Sequence, residues 1–210
     1  MNKSVMLSIQ PYYGFLIIAR RMGWKIPQEK TIEVRKNCPQ DPAWNNRIHI
    51  YCSRNRRSFK RIPKQYQPLM ERLLGKVIGE FVCDRIDAYS YHKGLTQFGG
   101  ELGLPIGTYD SYLIFEDDYK AMCLSYDEVK DYGKGKTLYG LHISDLKSYD
   151  NPKELGEFKR CQCKYMEQNP NLTCDCYCKY GNRSCFEKSG AHKSITRPPQ
   201  SWQFVEVLCE

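Results

Sequence analysis

Hydrophobic side chains recur at every second position in several short stretches of the chain, which is the period of a half-buried β-strand. Val5, Leu7 and Ile9 form the first of these stretches, and an amphipathic segment from Pro11 to about Met22 follows. Proline is favoured in the first turn of a helix, because its missing N–H would have no partner there. The pattern therefore predicts a strand followed by a helix.

The same alternation predicts two further strands. In residues 31–35, Ile32 and Val34 point to one side. The polar side chains of this stretch point to the other side, and they belong to Thr31, Glu33 and Arg35. Residues 47–53 repeat the pattern, with Ile48 and Ile50 on the inner face.

The middle of the chain indicates a short helix and a longer strand. Residues 68–74 are predicted to be a helix ended by Gly75, and residues 76–86 a strand. Residues 87–112 are rich in Gly, Tyr and Asp and have no clear period, which predicts a long loop.

A capping box marks the next helix. Ser125 and Glu128 have the S-x-x-E spacing that begins a helix, and Gly133 lies near its predicted end. Further strands are predicted over residues 137–143, 146–149 and 202–208.

Length and composition fit one globular domain with an insertion, or at most two small domains. The chain has 210 residues, of which 13% are aromatic, so it can build a core. After Phe158 the composition changes to cysteine and short polar residues, and the apolar pattern resumes only at Trp202. We therefore expect an α+β or barrel-like domain of residues 1–158 plus 195–210, interrupted by an insertion of residues 159–194.

The apolar stretches are too short for a membrane span. The longest, residues 15–19, falls far below the roughly 20 apolar residues that a transmembrane helix needs. The N-terminal residues lack the pattern of a secretory signal. We expect a cytoplasmic protein without a membrane partner.

The insertion contains six of the eleven cysteines. They are Cys161, Cys163, Cys174, Cys176, Cys178 and Cys185, and His192 follows them. Thiolates bind Zn²⁺ tetrahedrally, and a segment this poor in apolar residues needs the folding energy that a metal supplies. We predict a structural zinc site, with the four ligands left open among these residues. An iron–sulfur cluster, or disulfides in an oxidising compartment, are the alternatives.

Positive charge is concentrated in residues 54–64, in a chain whose net charge is +8. This segment has no acidic residue and six basic ones: Arg54, Arg56, Arg57, Lys60, Arg61 and Lys64. Phosphate contacts supply nucleic-acid affinity, and aromatic rings such as those of the nearby Tyr51, Phe59 and Tyr66 can stack on unpaired bases. The segment predicts a surface for a nucleic-acid backbone, and a solvated basic loop is the alternative.

The polar side of strand 31–35 suggests a second binding element. A hydroxyl, a carboxylate and a guanidinium would form one wall, with Lys30 at its entrance. Such a wall could hydrogen-bond the edge of a nucleobase while the cations hold phosphate. An exposed row of ion pairs is the alternative.

Several short motifs follow one another along the chain. They are Leu7-Ser-Ile-Gln-Pro11, Glu29-Lys-Thr-Ile-Glu-Val-Arg-Lys36, Ile48-His-Ile-Tyr-Cys-Ser53, Gly75-Lys-Val-Ile-Gly-Glu80, Leu141-His-Ile-Ser-Asp-Leu146 and Thr196-Arg-Pro-Pro-Gln-Ser-Trp-Gln-Phe-Val-Glu206. In this order they resemble the ASCH family. The resemblance covers most of the chain apart from residues 87–112 and the insertion.

The resemblance implies a PUA-like mixed β-barrel with short flanking helices and a cleft that binds RNA or a modified nucleotide. The positions that match the family's cleft are Lys30, Thr31, Glu33, Arg35, Ser53, Arg197, Gln200, Ser201 and Trp202. For Trp202, stacking on a base and packing in the core are both open. For His142, a site role and a structural role are both open.

The resemblance leaves catalysis open. One branch of the family is similar to amidohydrolases that deacylate acetylated cytidine, with a K-T-x-T-x-R strand whose second threonine is the nucleophile. Glu33 stands at that position, which removes the hydroxyl nucleophile. Glu33 as a general base on water, with Lys30 as an electrophile, would still permit hydrolysis. Deacylation, ribonuclease activity and a protein partner for the insertion are therefore alternatives to nucleotide binding alone.

Overall fold

The computed structural model describes residues 3–39, 44–96, 107–159 and 194–206. The strands are β1 (Lys3–Ile9), β2 (Ile32–Arg35), β3 (Trp44–Cys52), β4 (Val77–Tyr89), β5 (Tyr91–Thr96), β6 (Gly107–Tyr112), β7 (Leu138–Lys153) and β8 (Trp202–Glu206). The α-helices are α1 (Pro11–Ile18), α2 (Arg56–Phe59), α3 (Gln67–Glu71), α4 (Glu116–Met122) and α5 (Tyr126–Gly133). The predicted α+β class is confirmed.

The strands pair mostly in antiparallel fashion. Hydrogen-bonded neighbours in the larger sheet follow the order β2-β7-β4-β3-β1-β8, and β5 pairs with β6. The pairings among the described residues do not close into the barrel that the ASCH resemblance implies.

The chain divides into two compact units, and β4 and β7 contribute residues to both. The first unit comprises Met1–Ile26, Pro39–Cys83 and Ser144–Glu210. The second unit comprises Pro27–Cys38 and Asp84–Ile143.

In the first unit, β1 lies between a parallel neighbour and an antiparallel one. Leu7 is paired with Ile50 of β3 and with Trp202 of β8. The side chain of Leu7 is fully buried, and so are those of Ile50 and Ile17 of α1. β8 therefore pairs with β1 within the first unit.

In the second unit, β2 pairs with β7 in antiparallel register, with Val34 opposite Gly140. Ile32 and Val34 belong to the hydrophobic cluster of this unit, so the alternation predicted for β2 is confirmed. The predicted capping box is present as well, because the Ser125 hydroxyl accepts a hydrogen bond from the Glu128 N–H and the Glu128 side chain accepts from the Ser125 N–H. This box fixes the start of α5.

The prediction of a long loop over residues 87–112 is wrong. β4 continues to Tyr89, and β5 and β6 form an antiparallel pair. Tyr91 lies opposite Tyr112, and their ring centroids are 5.0 Å apart. Such aromatic cross-strand pairs stabilise a hairpin without the apolar alternation that marks a half-buried strand.

The two strands predicted over residues 137–143 and 146–149 are one strand. β7 runs without a break from Leu138 to Lys153, although Asp145 within it has a positive φ of 41°. Short-range alternation is interrupted at such an irregular position, whereas the pairing of the strand continues.

None of the helices within the described ranges has both the length and the apolar character needed to cross a membrane.

Gly79 marks a close backbone approach that can be tested. A Cβ atom at this position would lie 2.4 Å from the carbonyl oxygen of Lys147. We expect Gly79→Ala to lower the free energy of unfolding by about 1–3 kcal/mol, because a backbone atom cannot move aside as a flexible side chain can. Urea unfolding followed by fluorescence measures the change.

Gly156→Ala is the matched control for this substitution. Its added Cβ would meet no atom within 4 Å, so we expect the stability to stay close to that of the wild type. Equal loss of stability in the two variants would contradict the steric explanation.

Candidate functional site

Lys30, Glu33 and Arg35 come together in the second unit as a cluster of paired charges. The Lys30 Nζ lies 3.5 Å from the Glu33 Oε2, and the Arg35 Nη2 lies 2.9 Å from the Glu33 Oε1. All three side chains are buried, with Lys30 only 2% exposed. We call these three residues the Glu33 cluster.

Lys30 has a second partner at the end of a helix. Its ammonium group donates a hydrogen bond of 2.6 Å to the carbonyl of Met122, the last residue of α4. A cation is favoured there because the last carbonyls of a helix lack internal partners and carry its negative dipole end. Burial lowers the pKa of Lys30, and the Glu33 carboxylate opposes this shift.

The surroundings of the Glu33 cluster differ from the open wall that the sequence suggests. Lys30, expected at the entrance of a groove, is buried, and the side chain of Thr31 is exposed. The Thr31 backbone is fixed in the second unit by hydrogen bonds of 2.9 Å to Ala121 and Ile143. The ligand-binding roles of Lys30, Thr31, Glu33 and Arg35 stay predictions.

The basic residues of segment 54–64, by contrast, are all exposed; they are Arg54, Arg56, Arg57, Lys60, Arg61 and Lys64. The segment forms the short helix α2, begun by the Asn55 side chain, which accepts a hydrogen bond of 3.1 Å from the Ser58 N–H. Phe59 and Ile62 are buried and anchor the segment in the first unit. The basic side chains are therefore exposed on a segment that these two buried residues anchor. We call these six residues the basic surface.

The cations of the basic surface differ in their partners. Arg56 is paired with the Glu71 carboxylate at 2.6 Å, and both side chains are exposed. The Arg61 guanidinium carbon lies 4.2 Å from the centroid of the Tyr12 ring. The Arg57, Lys60 and Lys64 side chains make no ion pair within the described part of the chain. These three cations can therefore meet an added anion without first losing a carboxylate.

The aromatic residues suggested by the sequence are not the ones exposed beside the basic surface. Tyr51 and Phe59 are buried in the first unit. The Tyr66 ring packs on Phe15 and Trp24, with centroid distances of 5.4 Å to each. Tyr12 and Tyr13, at the start of α1, are half-exposed and contact Arg61 instead.

The remaining residues expected in a cleft belong to the first unit. The Ser53 N–H donates to the Ile9 carbonyl at 2.8 Å, and the Ser201 carbonyl accepts from the Ser8 N–H at 2.9 Å. Trp202 lies on β8, with its ring edge-on to that of Phe204 at 5.4 Å. Arg197 and Gln200 are exposed. The contact with Phe204 favours the packing interpretation of Trp202.

His142 lies in a cluster of its own in the second unit. Its Nε2 is 2.7 Å from the Asp87 carboxylate and 3.0 Å from the Arg85 guanidinium, which also contacts Asp87. The imidazole thus has two polar neighbours that hold it in place. The sequence leaves both a site role and a structural role open for His142, and this arrangement favours the structural role.

The predicted zinc ligands lie outside the described residues, so the zinc site stays a prediction. The described ranges contain no cluster of three or more His, Cys, Asp or Glu side chains suited to a metal. Cys52 and Cys83 are buried, as expected of small core residues. Burial raises the pKa of Cys52 to about 12, which keeps this thiol protonated and unreactive.

A buried polar network in the first unit is absent from the sequence predictions. The Ser4 Oγ lies 3.0 Å from the His49 Nε2, and the His49 Nδ1 lies 3.1 Å from the Tyr149 hydroxyl. That hydroxyl donates to the Glu80 carboxylate at 2.8 Å, and Arg47 also pairs with Glu80. His49 and Glu80 occupy strand positions within the ASCH-like motifs, and this was the available signal. We call this group the His49 network.

The geometry of the His49 network resembles a Ser–His–acid triad, but its nucleophile is inaccessible. The Ser4 side chain is 0% exposed, and His49 is 3% exposed. A catalytic serine must reach a substrate carbonyl, so this group serves the fold. Burial lowers the pKa of His49 to about 4, against the opposing effect of Glu80.

Comparison with known proteins gives distant structural similarity. No family model and no curated protein matches the chain. The crystal structure of ASCH from Zymomonas mobilis is similar at 17% identity and TM-score 0.46, over 98% of this chain and 90% of that one. Two substitution mutants of that protein are similar at 16% identity, with TM-scores of 0.45 and 0.46, over 97% and 98% of this chain and 90% and 89% of theirs.

These structures carry the name of the family that the sequence motifs resemble. The chain is thus similar to ASCH structures, at a distance that assigns it no activity, substrate or partner.

The Glu33 cluster predicts a marked cost of removing its carboxylate charge. We expect Glu33→Gln to lower the free energy of unfolding by about 3–5 kcal/mol, because two buried cations would lose their shared counter-charge. Thermal or urea unfolding measures the loss. Thr31→Ala, on the exposed neighbour, is expected to stay within about 0.5 kcal/mol of the wild type. A similar small effect for both variants would show that the cluster is open to water.

The His49 network predicts a pH dependence of stability. His49 protonates near pH 6.5 in the unfolded chain and near 4 in the folded protein. The unfolded state therefore binds the proton first, and stability falls as the pH falls from about 6.5 towards 4, by roughly 3 kcal/mol from this residue.

A comparison with His49→Gln isolates this contribution. Glutamine does not titrate, so the titration of carboxylates common to both proteins cancels in the difference. We expect the stability advantage of the wild type over the variant to shrink between pH 7 and 4 in urea unfolding. An advantage that is constant with pH would contradict the assignment.

Proposed function

We propose that the protein binds RNA or a modified nucleotide and that the basic surface contacts the phosphate backbone. The observation that carries this proposal is the exposure of all six cations in one segment of the first unit that buried Phe59 and Ile62 anchor. A cation exposed to water loses little solvation on meeting a phosphate and releases condensed counterions from the nucleic acid. This gain is independent of the base sequence.

The pairing within the basic surface ranks its members. Arg57, Lys60 and Lys64 are the main phosphate ligands of the proposal, since no carboxylate competes for them in the described part of the chain. Arg56 contributes less because its guanidinium is already hydrogen-bonded to Glu71. A surface whose cations were all neutralised by neighbouring acids would not support the proposal.

Base recognition in this proposal rests on the sequence, through the polar side of residues 31–35 and the ASCH resemblance. The residues proposed to contact the base are Lys30, Thr31, Glu33, Arg35, Ser53, Arg197, Gln200, Ser201 and Trp202. From the cysteine content of the insertion we also propose a structural zinc site there, and a protein partner that the insertion contacts.

One observation bears on the hydrolase alternative. In that alternative Glu33 is the general base on water, and Lys30, whose Nζ lies 3.5 Å from the Glu33 carboxylate, is the electrophile. Substrate must, however, reach a side chain that is 2% exposed. Release of acid from acylated cytidine, abolished by Lys30→Ala in a folded variant, would establish deacylation over binding alone.

The proposal predicts a salt-dependent affinity that depends on the basic surface. We expect fluorescence anisotropy with a labelled single-stranded RNA to give an association constant that falls linearly with salt on logarithmic axes. The double variant Arg57→Gln, Lys60→Gln is expected to reduce the slope by about 1.4, since each lost phosphate contact on a single strand contributes about 0.7.

The double variant Lys134→Gln, Lys136→Gln is the matched control. It also removes two exposed positive charges, but from the turn after α5 in the second unit. We expect it to leave the slope near the wild-type value. A slope that drops equally in both double variants would show that net charge, and not the basic surface, determines binding.

A further inference from the structure

We infer that Tyr12 and Arg61 form a stacking subsite for an unpaired nucleobase, so that the proposed surface takes single-stranded RNA in preference to a duplex. This inference rests on the proposed function and names the class of ligand for the same surface. Neither the sequence motifs nor the comparisons assign a role to Tyr12.

The geometry of the pair carries the inference. The Arg61 guanidinium carbon is 4.2 Å from the Tyr12 ring centroid and 5.6 Å from that of Tyr13. The Arg61 Nη1 also donates to the Tyr13 hydroxyl at 3.3 Å. Arg61 is exposed and the two tyrosines are half-exposed, so a planar charged group and two rings meet at the protein surface.

Ser58 holds both members of the pair in position. Its side-chain oxygen accepts a hydrogen bond of 3.1 Å from the Tyr12 N–H, and its carbonyl accepts one of 3.1 Å from the Arg61 N–H. Ser58 itself is 4% exposed. The start of α1 and the end of the basic turn are thus joined through one buried residue, which reduces the ordering cost of binding.

The chemistry of this pair selects unpaired bases. Guanidinium planes and aromatic rings stack on the faces of nucleobases that have left a helix, whereas a duplex keeps those faces stacked inside. Stacking is independent of base identity because every base has such a face. Phosphate contacts from Arg57 and Lys60 of the same turn would hold the adjoining backbone.

The test compares three labelled RNA probes by fluorescence anisotropy on the full chain. The probes are an oligouridine strand of about ten nucleotides, an abasic strand of the same length, and a blunt duplex. We expect the wild type to bind the oligouridine strand about tenfold more tightly than the abasic strand, the order of magnitude of one stacked base. We expect the affinity for the duplex to be close to that for the abasic strand.

Arg61→Lys separates stacking from charge. It keeps the positive charge and removes the planar group, so we expect the preference for oligouridine to fall below about twofold while the salt slope stays unchanged. Arg72→Lys is the matched control, since Arg72 is an exposed arginine of the same unit that lies outside the basic surface and has no ring contact within the described residues, and it should keep the full preference. Tyr12→Leu, checked for folding by urea unfolding, should lose the preference as Arg61→Lys does.

Failure of the inference is distinguishable from failure of the proposed function. Salt-dependent binding of all three probes with equal affinity would overturn the stacking subsite and leave backbone binding intact. An unchanged preference for oligouridine in both Arg61→Lys and Tyr12→Leu would also overturn it. Absence of binding to every probe by the wild type would overturn both.

Discussion

Each unit depends on the pairing of one buried strand carboxylate. In both units that carboxylate is shared by positively charged or polar neighbours. In the second unit Glu33 accepts from Arg35 and pairs with Lys30, and the same Lys30 ammonium contacts the end of α4. In the first unit Glu80 pairs with Arg47 and accepts from Tyr149. Burying an unpaired charge costs several kcal/mol, so these groups are retained only as complete sets. In the first unit Arg47 and Glu80 lie on the neighbouring strands β3 and β4, which therefore cannot shift register without separating this pair.

This constraint separates the charged residues into two groups with different chemistry. Cations paired inside the units are held by neighbouring carboxylates, and an added ligand would have to replace those contacts. Cations such as Arg57 and Lys60 remain exposed to water, where association with a polyanion gains free energy from counterion release. The net charge of +8 does not distinguish buried from exposed cations, because both groups contribute to it equally. Burial determines which charges are available for binding.

The sequence was informative wherever the signal was local. The structure contains the strand β2, the capping box of α5 and the strand β8. Each of them is predicted from neighbours within a few residues. The signal was insufficient where a partner is distant in sequence. The contact between Arg61 and Tyr13 spans 48 positions, so the rings expected beside the basic surface were chosen by proximity along the chain and were largely buried. Similarly, a polar row on a strand has the same pattern whether it faces a ligand or pairs with itself.

Short distances alone do not define a catalytic centre, because a substrate must also reach the reactive atoms. Ser4, His49 and Glu80 are connected as a hydrolytic triad would be, and Lys30 lies beside Glu33 as an acid–base pair would. Yet Ser4 is 0% exposed and Lys30 2% exposed, so neither presents its reactive atom to a substrate. The pKa directions agree, because burial is the largest cause of the lowered pKa of both His49 and Lys30. A perturbed pKa at a site enclosed by the protein reflects the cost of burying charge. Among the described residues, the cations of the basic surface are exposed, whereas the side chains of these two clusters are buried.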